Sequence, residues 1–327
     1  MSNTHPAAHL ERLIIVVCVF VCPLLFFTNL TRNPYVTQIS LLNVGVCAAL
    51  ALRLGRQSLE DSALRLPRTP FDLPLAVWLG VCALSWAVAF FGHVPFFRPA
   101  IGAEGLRNGV FVLANTVAAF FLAASVARES AWTKPDEPAQ SSGLGGWVAF
   151  TLIWGVLWTA FHSMRSPGRS GPGTWALVWD GYGGALWLGG VAAAWWLCRK
   201  GRLLDYIHLA LATGFLASVY GILQYFNIEI IWPNVLNPYG GRSVSTFGNP
   251  NFLSSYIVVM VPFALALFLQ ARDMGPKLVY GATFLALQGA LLSSLKRSSW
   301  GGALAALAAL TFWKEIRARV ASEPRPS

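Results

Sequence analysis

Long apolar runs separated by short polar connectors occupy almost the whole chain, and ten of them approach the roughly 20 residues that a helix needs to cross a bilayer. They fall at 13–30, 37–52, 72–91, 109–126, 146–162, 182–198, 203–226, 252–270, 278–294 and 298–313. Within the runs there is no period-2 alternation, and a bilayer accepts only helices or closed barrels. The pattern therefore predicts an all-α, polytopic membrane protein of about ten transmembrane helices, forming a single transmembrane domain over 1–327. The first run resembles a secretory signal, but no small-x-small cleavage pattern follows it, so it reads as a retained anchor.

Composition agrees with this pattern. Hydrophobic residues make up 55% of the 327 positions and charged residues 12%, less than half of the roughly 25% typical of soluble chains. The net charge of +10 is spread over the connectors instead of forming one patch, which argues against nucleic acid as a partner. Threading the ten spans places 16 of the 24 Lys and Arg residues on one side and 8 on the other. By the excess of cations on the cytoplasmic side, both termini lie in the cytoplasm. Cys18, Cys22, Cys47, Cys82 and Cys198 sit in apolar runs without CxxC or Cys/His spacing. They indicate neither a metal site nor a disulfide framework.

One connector stands apart. Residues 227–251, which threading places outside, end in Gly-Gly-Arg242-Ser-Val-Ser-Thr-Phe-Gly248-Asn249-Pro250-Asn251. A permissive glycine, two side chains able to bond nearby backbone and a proline suited to a first helical turn predict a tight turn entering a helix. Arg242 lies just before that turn, so the stretch is either an ordinary loop between two spans or a place where a guanidinium and free N–H groups at the start of the helix meet one anion.

Other outward cations run against the charge bias: Arg107 after Glu104-Gly105-Leu106, and Lys296-Arg297 after Leu291-Leu292-Ser293-Ser294. At a membrane boundary such cations often snorkel to lipid phosphates. Gathered at one face, they could instead hold a diphosphate, each contributing roughly 4 kcal/mol at about 4 Å before desolvation. The outward acids Glu104, Asp180 and Glu229 are scattered and form no carboxylate set for Mg²⁺. No metal or other cofactor is expected. His93 and His162 lie at outer span ends without a partner motif, and the tryptophans near 147–158 and 187–196 read as interfacial belts and packing.

Arg242-Ser-Val-Ser-Thr-Phe-Gly-Asn-Pro-Asn-Phe-Leu, preceded by Val219-Tyr-Gly-Ile-Leu-Gln-Tyr and followed by Ser294-Leu-Lys-Arg297-Ser-Ser-Trp300, resembles the bacterial O-antigen ligase and O-antigen polymerase superfamily. The weaker Glu104-Gly-Leu-Arg107 and Phe71-Asp-Leu-Pro-Leu stretches are also similar to its earlier loops and spans.

The resemblance implies a GT-C-like glycosyltransferase of the inner membrane and cell envelope. It would take a glycan from undecaprenyl diphosphate on the periplasmic side and pass it to lipid A–core, another repeat unit or protein, using neither nucleotide nor metal. It implies that Arg242 and Arg297, with Arg107, hold the diphosphate, and that Gly248, Asn249, Pro250 and Asn251 shape the pocket. The family motif departs here in that Lys296 precedes Arg297 and Ser298-Ser299-Trp300 follows it. The family also continues into a long outer loop carrying a functional histidine. The stretch through Ser327 matches only the donor-binding half: either it is a truncated or split member, or a second polypeptide supplies the other half as a partner, or this version binds without turning over and is inactive alone. A reading of another class is a non-enzymatic subunit docking in a larger membrane complex through small-residue faces such as Gly301-Gly302-Ala303.

Overall fold

A computed structural model describes residues 6–25, 35–61, 68–91, 110–132, 143–164, 181–230, 239 and 241–312. The described residues form helices, turns and connectors and contain no strand. Ten α-helices run in order: α1 Pro6–Leu24, α2 Tyr35–Asp61, α3 Asp72–Phe91, α4 Val110–Trp132, α5 Leu144–Met164, α6 Gly181–Leu197, α7 Leu203–Tyr225, α8 Pro250–Gln270, α9 Met274–Ser293 and α10 Arg297–Thr311. A 3₁₀ turn, Ser245–Phe247, precedes α8.

Among the described residues five stretches are long and apolar enough to cross a membrane: Pro6–Leu24, Thr37–Leu59, Leu144–Met164, Leu203–Tyr225 and Pro250–Gln270. Large apolar side chains such as Val77, Val81, Leu152, Val156, Leu285 and Leu304 face outward. Lipid, not water, is the solvent in which such a surface is stable. The chain is thus a helical membrane protein.

The residues divide into two compact units, Met1–Gly146 with Trp175–Leu209, and Trp147–Thr174 with Ala210–Ser327. In the first, α1 and α2 approach closely because Gly45 presents no Cβ to Cys18 Sγ. Their ends are tied by polar groups. Gln38 Nε2 donates to Leu25 O at 2.9 Å, and Arg53 Nε meets Glu11 Oε1 at 2.8 Å. This ion pair carries α2 past Leu52, where the sequence pattern ends the span at a cation. With Glu11 beside it, Arg53 can stay on the helix and remain buried. Between α2 and α4, Asn115 Nδ2 donates to Asn43 Oδ1 at 2.9 Å. Near α6, Arg12 Nη1 reaches Arg199 O at 3.2 Å.

In the second unit, the missing side chain of Gly155 admits Leu216 of α7 against α5. Gly289 in the same way admits Ile222 between α7 and α9. Tyr256 of α8 shares a hydrogen bond with Thr213 of α7 at 2.9 Å, so a buried hydroxyl pair fixes the register of these two helices. The C-terminal end of α7, the N-terminal end of α8, the C-terminal end of α9 and the residues leading into α10 converge on the segment 241–249, and the candidate site is built there.

Candidate functional site

The segment after Arg242 is held by backbone and hydroxyl bonds that local sequence does not announce. Ser243 N–H donates to Ser293 O at 3.1 Å. Ser243 Oγ lies 2.6 Å from Gly221 O and 2.7 Å from Ser293 Oγ. Its one hydrogen is shared between the two, because Ser293 Oγ gives its own to Ala290 O at 3.0 Å. Ser245 Oγ donates to Ala217 O at 2.6 Å. Gln224 Oε1 accepts from Val244 N at 3.2 Å and Ser245 N at 2.6 Å. Gly221 makes the approach possible: a Cβ there would sit 3.3 Å from Leu253 Cδ2 and 3.6 Å from the Cβ atoms of Ser243 and Ser245.

The turn into α8 follows its residues. Gly248 adopts φ +64°, Asn249 is the N-cap with its side chain accepting from Asn251 N at 2.8 Å, and Pro250 opens the helix. Asn249 Nδ2 also donates to Tyr239 Oη at 3.2 Å. One consequence departs from the sequence expectation. Pro250 has no N–H, Asn251 N is taken by the cap, and Phe252 N and Leu253 N both donate to Asn249 O. The start of α8 therefore has no N–H left to offer an anion.

The start of α10 is different. Its N-cap, Lys296, makes no side-chain capping bond. Ser299 N and Trp300 N are satisfied by Lys296 O, so the N–H groups directed outward are those of Arg297 and Ser298. Both residues are exposed. The helix terminus with open donors thus belongs to α10, and it carries Arg297 in its first turn.

Arg242 is joined to this second motif. Its Nη2 donates to Leu295 O at 2.9 Å, two residues before Arg297 and 53 residues along the chain from its own position. Leu295 presents that carbonyl because it adopts φ +53°, a left-handed conformation costing a non-glycine residue about 1–2 kcal/mol. Ser245 is also left-handed, at φ +50°. Among the described non-glycine residues the remaining case is Asn227, φ +62°, at the C-terminal end of α7, where asparagine commonly caps a helix. Strained backbone of this kind persists where the surroundings over-determine it, and it clusters at working sites. On the far side of the corner, Trp300 Nε1 donates to Leu291 O at 3.1 Å and pins α10 to the end of α9.

Relieving the strain supplies a test. Leu295→Gly keeps the backbone carbonyl that Arg242 uses and removes a side chain that is 42% exposed. It is expected to be neutral to about 1 kcal/mol more stable, whereas the β-branched Leu295→Val is expected to be less stable. Thermal unfolding in detergent micelles measures both. A clear loss of stability in the glycine variant contradicts the strain.

Beside Tyr220 lies a small recess of about 60 Å³, lined by Trp158, His162, Phe215, Val219, Tyr220 and Leu223 among others. Trp158 stacks on Trp154 at 5.7 Å and meets the Tyr220 ring edge-on at 6.3 Å. Its buried indole Nε1 has no hydrogen-bond partner. The Tyr220 hydroxyl leaves the recess and donates to Glu229 Oε1.

Of the residues singled out from sequence, Arg242, Gly248, Asn249, Pro250, Asn251 and Arg297 all lie in this second unit around one corner. Arg107 falls outside the described residues. Gln224, Glu229, Ser243, Ser245, Ser293 and Leu295 were not singled out as site residues, although Gln224, Ser243, Ser245 and Leu295 lie inside the stretches that carry the family resemblance. Among the described residues no three His, Cys, Asp or Glu side chains gather as a metal site would require. No family model, no curated protein and no solved structure matches the chain.

Proposed function

We propose that the chain is an O-antigen ligase- or polymerase-like protein of a bacterial inner membrane, with its termini in the cytoplasm and ten spans. It binds an undecaprenyl-diphosphate-linked glycan at its periplasmic rim. Arg242 and Arg297 hold the diphosphate, the open N–H groups at the start of α10 add donors, and the recess beside Tyr220 seats the first part of the prenyl chain. The observation that carries this reading is the bond from Arg242 to Leu295 O, which brings the two arginine-bearing segments to one corner.

In the reaction, an acceptor hydroxyl oxygen forms a bond to the anomeric carbon while the bond from that carbon to the diphosphate oxygen breaks. The electron pair leaves on the diphosphate, where fixed cations and helix donors stabilise it without needing to reorganise. The hydroxyl proton passes to a base on the acceptor side.

The test is retention of undecaprenyl diphosphate by the purified full chain in nanodiscs. Arg242→Ala and Arg297→Ala are each expected to weaken it by about tenfold or more, the scale of a lost charge-assisted hydrogen bond, with membrane insertion unchanged. Equal retention in both variants contradicts the reading. Purification as a stoichiometric subunit without lipid-linked sugar favours the alternative, a non-enzymatic docking subunit, for which the exposed Gly301 on α10 offers a close-contact face.

A further inference from the structure

Gln224 faces two donors. Val244 N and Ser245 N both point at its Oε1, so the amide can be satisfied in one orientation only, with Nε2 turned the other way. There Nε2 meets Glu229 Oε2 at 3.1 Å. The other carboxylate oxygen accepts from Tyr220 Oη and from Ile230 N, the latter at 3.1 Å. Tyr220 is 2% exposed and Gln224 8%, while Glu229 itself lies on the exposed side of the network. A carboxylate that accepts hydrogen bonds and donates none matches that orientation of Gln224 from the other end. The line runs from Glu229 through Gln224 to the N–H groups of Val244 and Ser245, and Arg242 stands at the head of that same segment.

We propose that Glu229 is a positioning residue for the diphosphate grip. Through Gln224 it fixes the left-handed Ser245 and its neighbours, and so holds Arg242 against Leu295 O. This rests on the reading of Arg242 as a diphosphate ligand.

The network also states how to test it. Glu229→Gln is nearly isosteric but sets an amide N–H₂ against either Gln224 Nε2 or Ile230 N. The exchange Gln224→Glu with Glu229→Gln restores the match. Position 224 then accepts from Val244 N, Ser245 N and the new amide, while the amide oxygen at 229 accepts from Tyr220 and Ile230.

Two readouts are taken in nanodiscs: affinity for undecaprenyl diphosphate, and hydrogen exchange of the amides at 244 and 245. Glu229→Gln is expected to weaken affinity and to speed exchange of these amides, each by about tenfold, with little change in thermal midpoint. The double exchange is expected to return both to within roughly threefold of the parent. Unaltered affinity and exchange in Glu229→Gln, or a double exchange as impaired as the single, overturns the proposal. If the parent chain itself does not retain undecaprenyl diphosphate, the functional reading falls. The amide exchange of the single and double variants then decides on Glu229 alone.

Discussion

Glu11→Ala is expected to be the most damaging single substitution in the first unit, lowering stability by about 3–5 kcal/mol. Glu11 and Arg53 are each only 3% exposed, and their side chains meet at 2.8 Å. Arg56 Nη2 lies 3.6 Å from the other Glu11 oxygen. Removing the carboxylate leaves a guanidinium buried beside two apolar helices with its counter-charge gone, and apolar surroundings make that costly. The pair itself is a different matter. Replacing Glu11 and Arg53 together by methionine removes both desolvation penalties, and the double variant is expected to recover most of the loss. Thermal unfolding in detergent micelles distinguishes the two cases. A single-variant loss under about 1 kcal/mol, the value of an exposed pair, would show that water reaches this pair.

The same pair shows what the hydrophobic pattern can and cannot convey. Each of the ten apolar runs overlaps a helix among the described residues, and five of these helices are long and apolar enough to cross a membrane. The boundary at Arg53 was misread because the partner that makes a buried cation tolerable sits on another helix, 42 residues earlier. The turn at Gly248–Asn251 was legible in full, since its glycine, cap and proline act within four residues of one another.

What the turn does for an anion was not legible. The Asn249 cap and carbonyl consume the donors of α8, and the open terminus lies at α10 behind Leu295, a residue type with no preference for the left-handed conformation it adopts. The roles of Gln224 and Glu229 were not legible for a related reason. A glutamine and a glutamate near a span end look like ordinary interfacial polarity until the fold brings Val244 and Ser245 to them.

Lysine substitutions at the two arginines are expected to separate their roles. Arg242 has one nitrogen committed to Leu295 O, so it must hold the corner together and still face the ligand, and only a planar fork with several N–H groups does both. Lysine at 242 offers a point charge on a flexible stem: it either keeps the carbonyl or turns to the diphosphate. Arg242→Lys is therefore expected to lose nearly as much undecaprenyl diphosphate affinity as Arg242→Ala, about tenfold or more.

Arg297 stands exposed in the first turn of α10, beside N–H groups that still seek an acceptor. Its contribution is mainly charge added to a helix terminus already favourable to anions. Arg297→Lys is expected to stay within roughly threefold of the parent, while Arg297→Ala falls by about tenfold. If Arg242→Lys binds as the parent does, the Leu295 bond is not what aims the guanidinium, and the corner loses its role in shaping the grip. If Arg297→Lys instead falls as far as Arg297→Ala, Arg297 too acts as a fork, and the diphosphate lies close enough to α10 for bidentate contact.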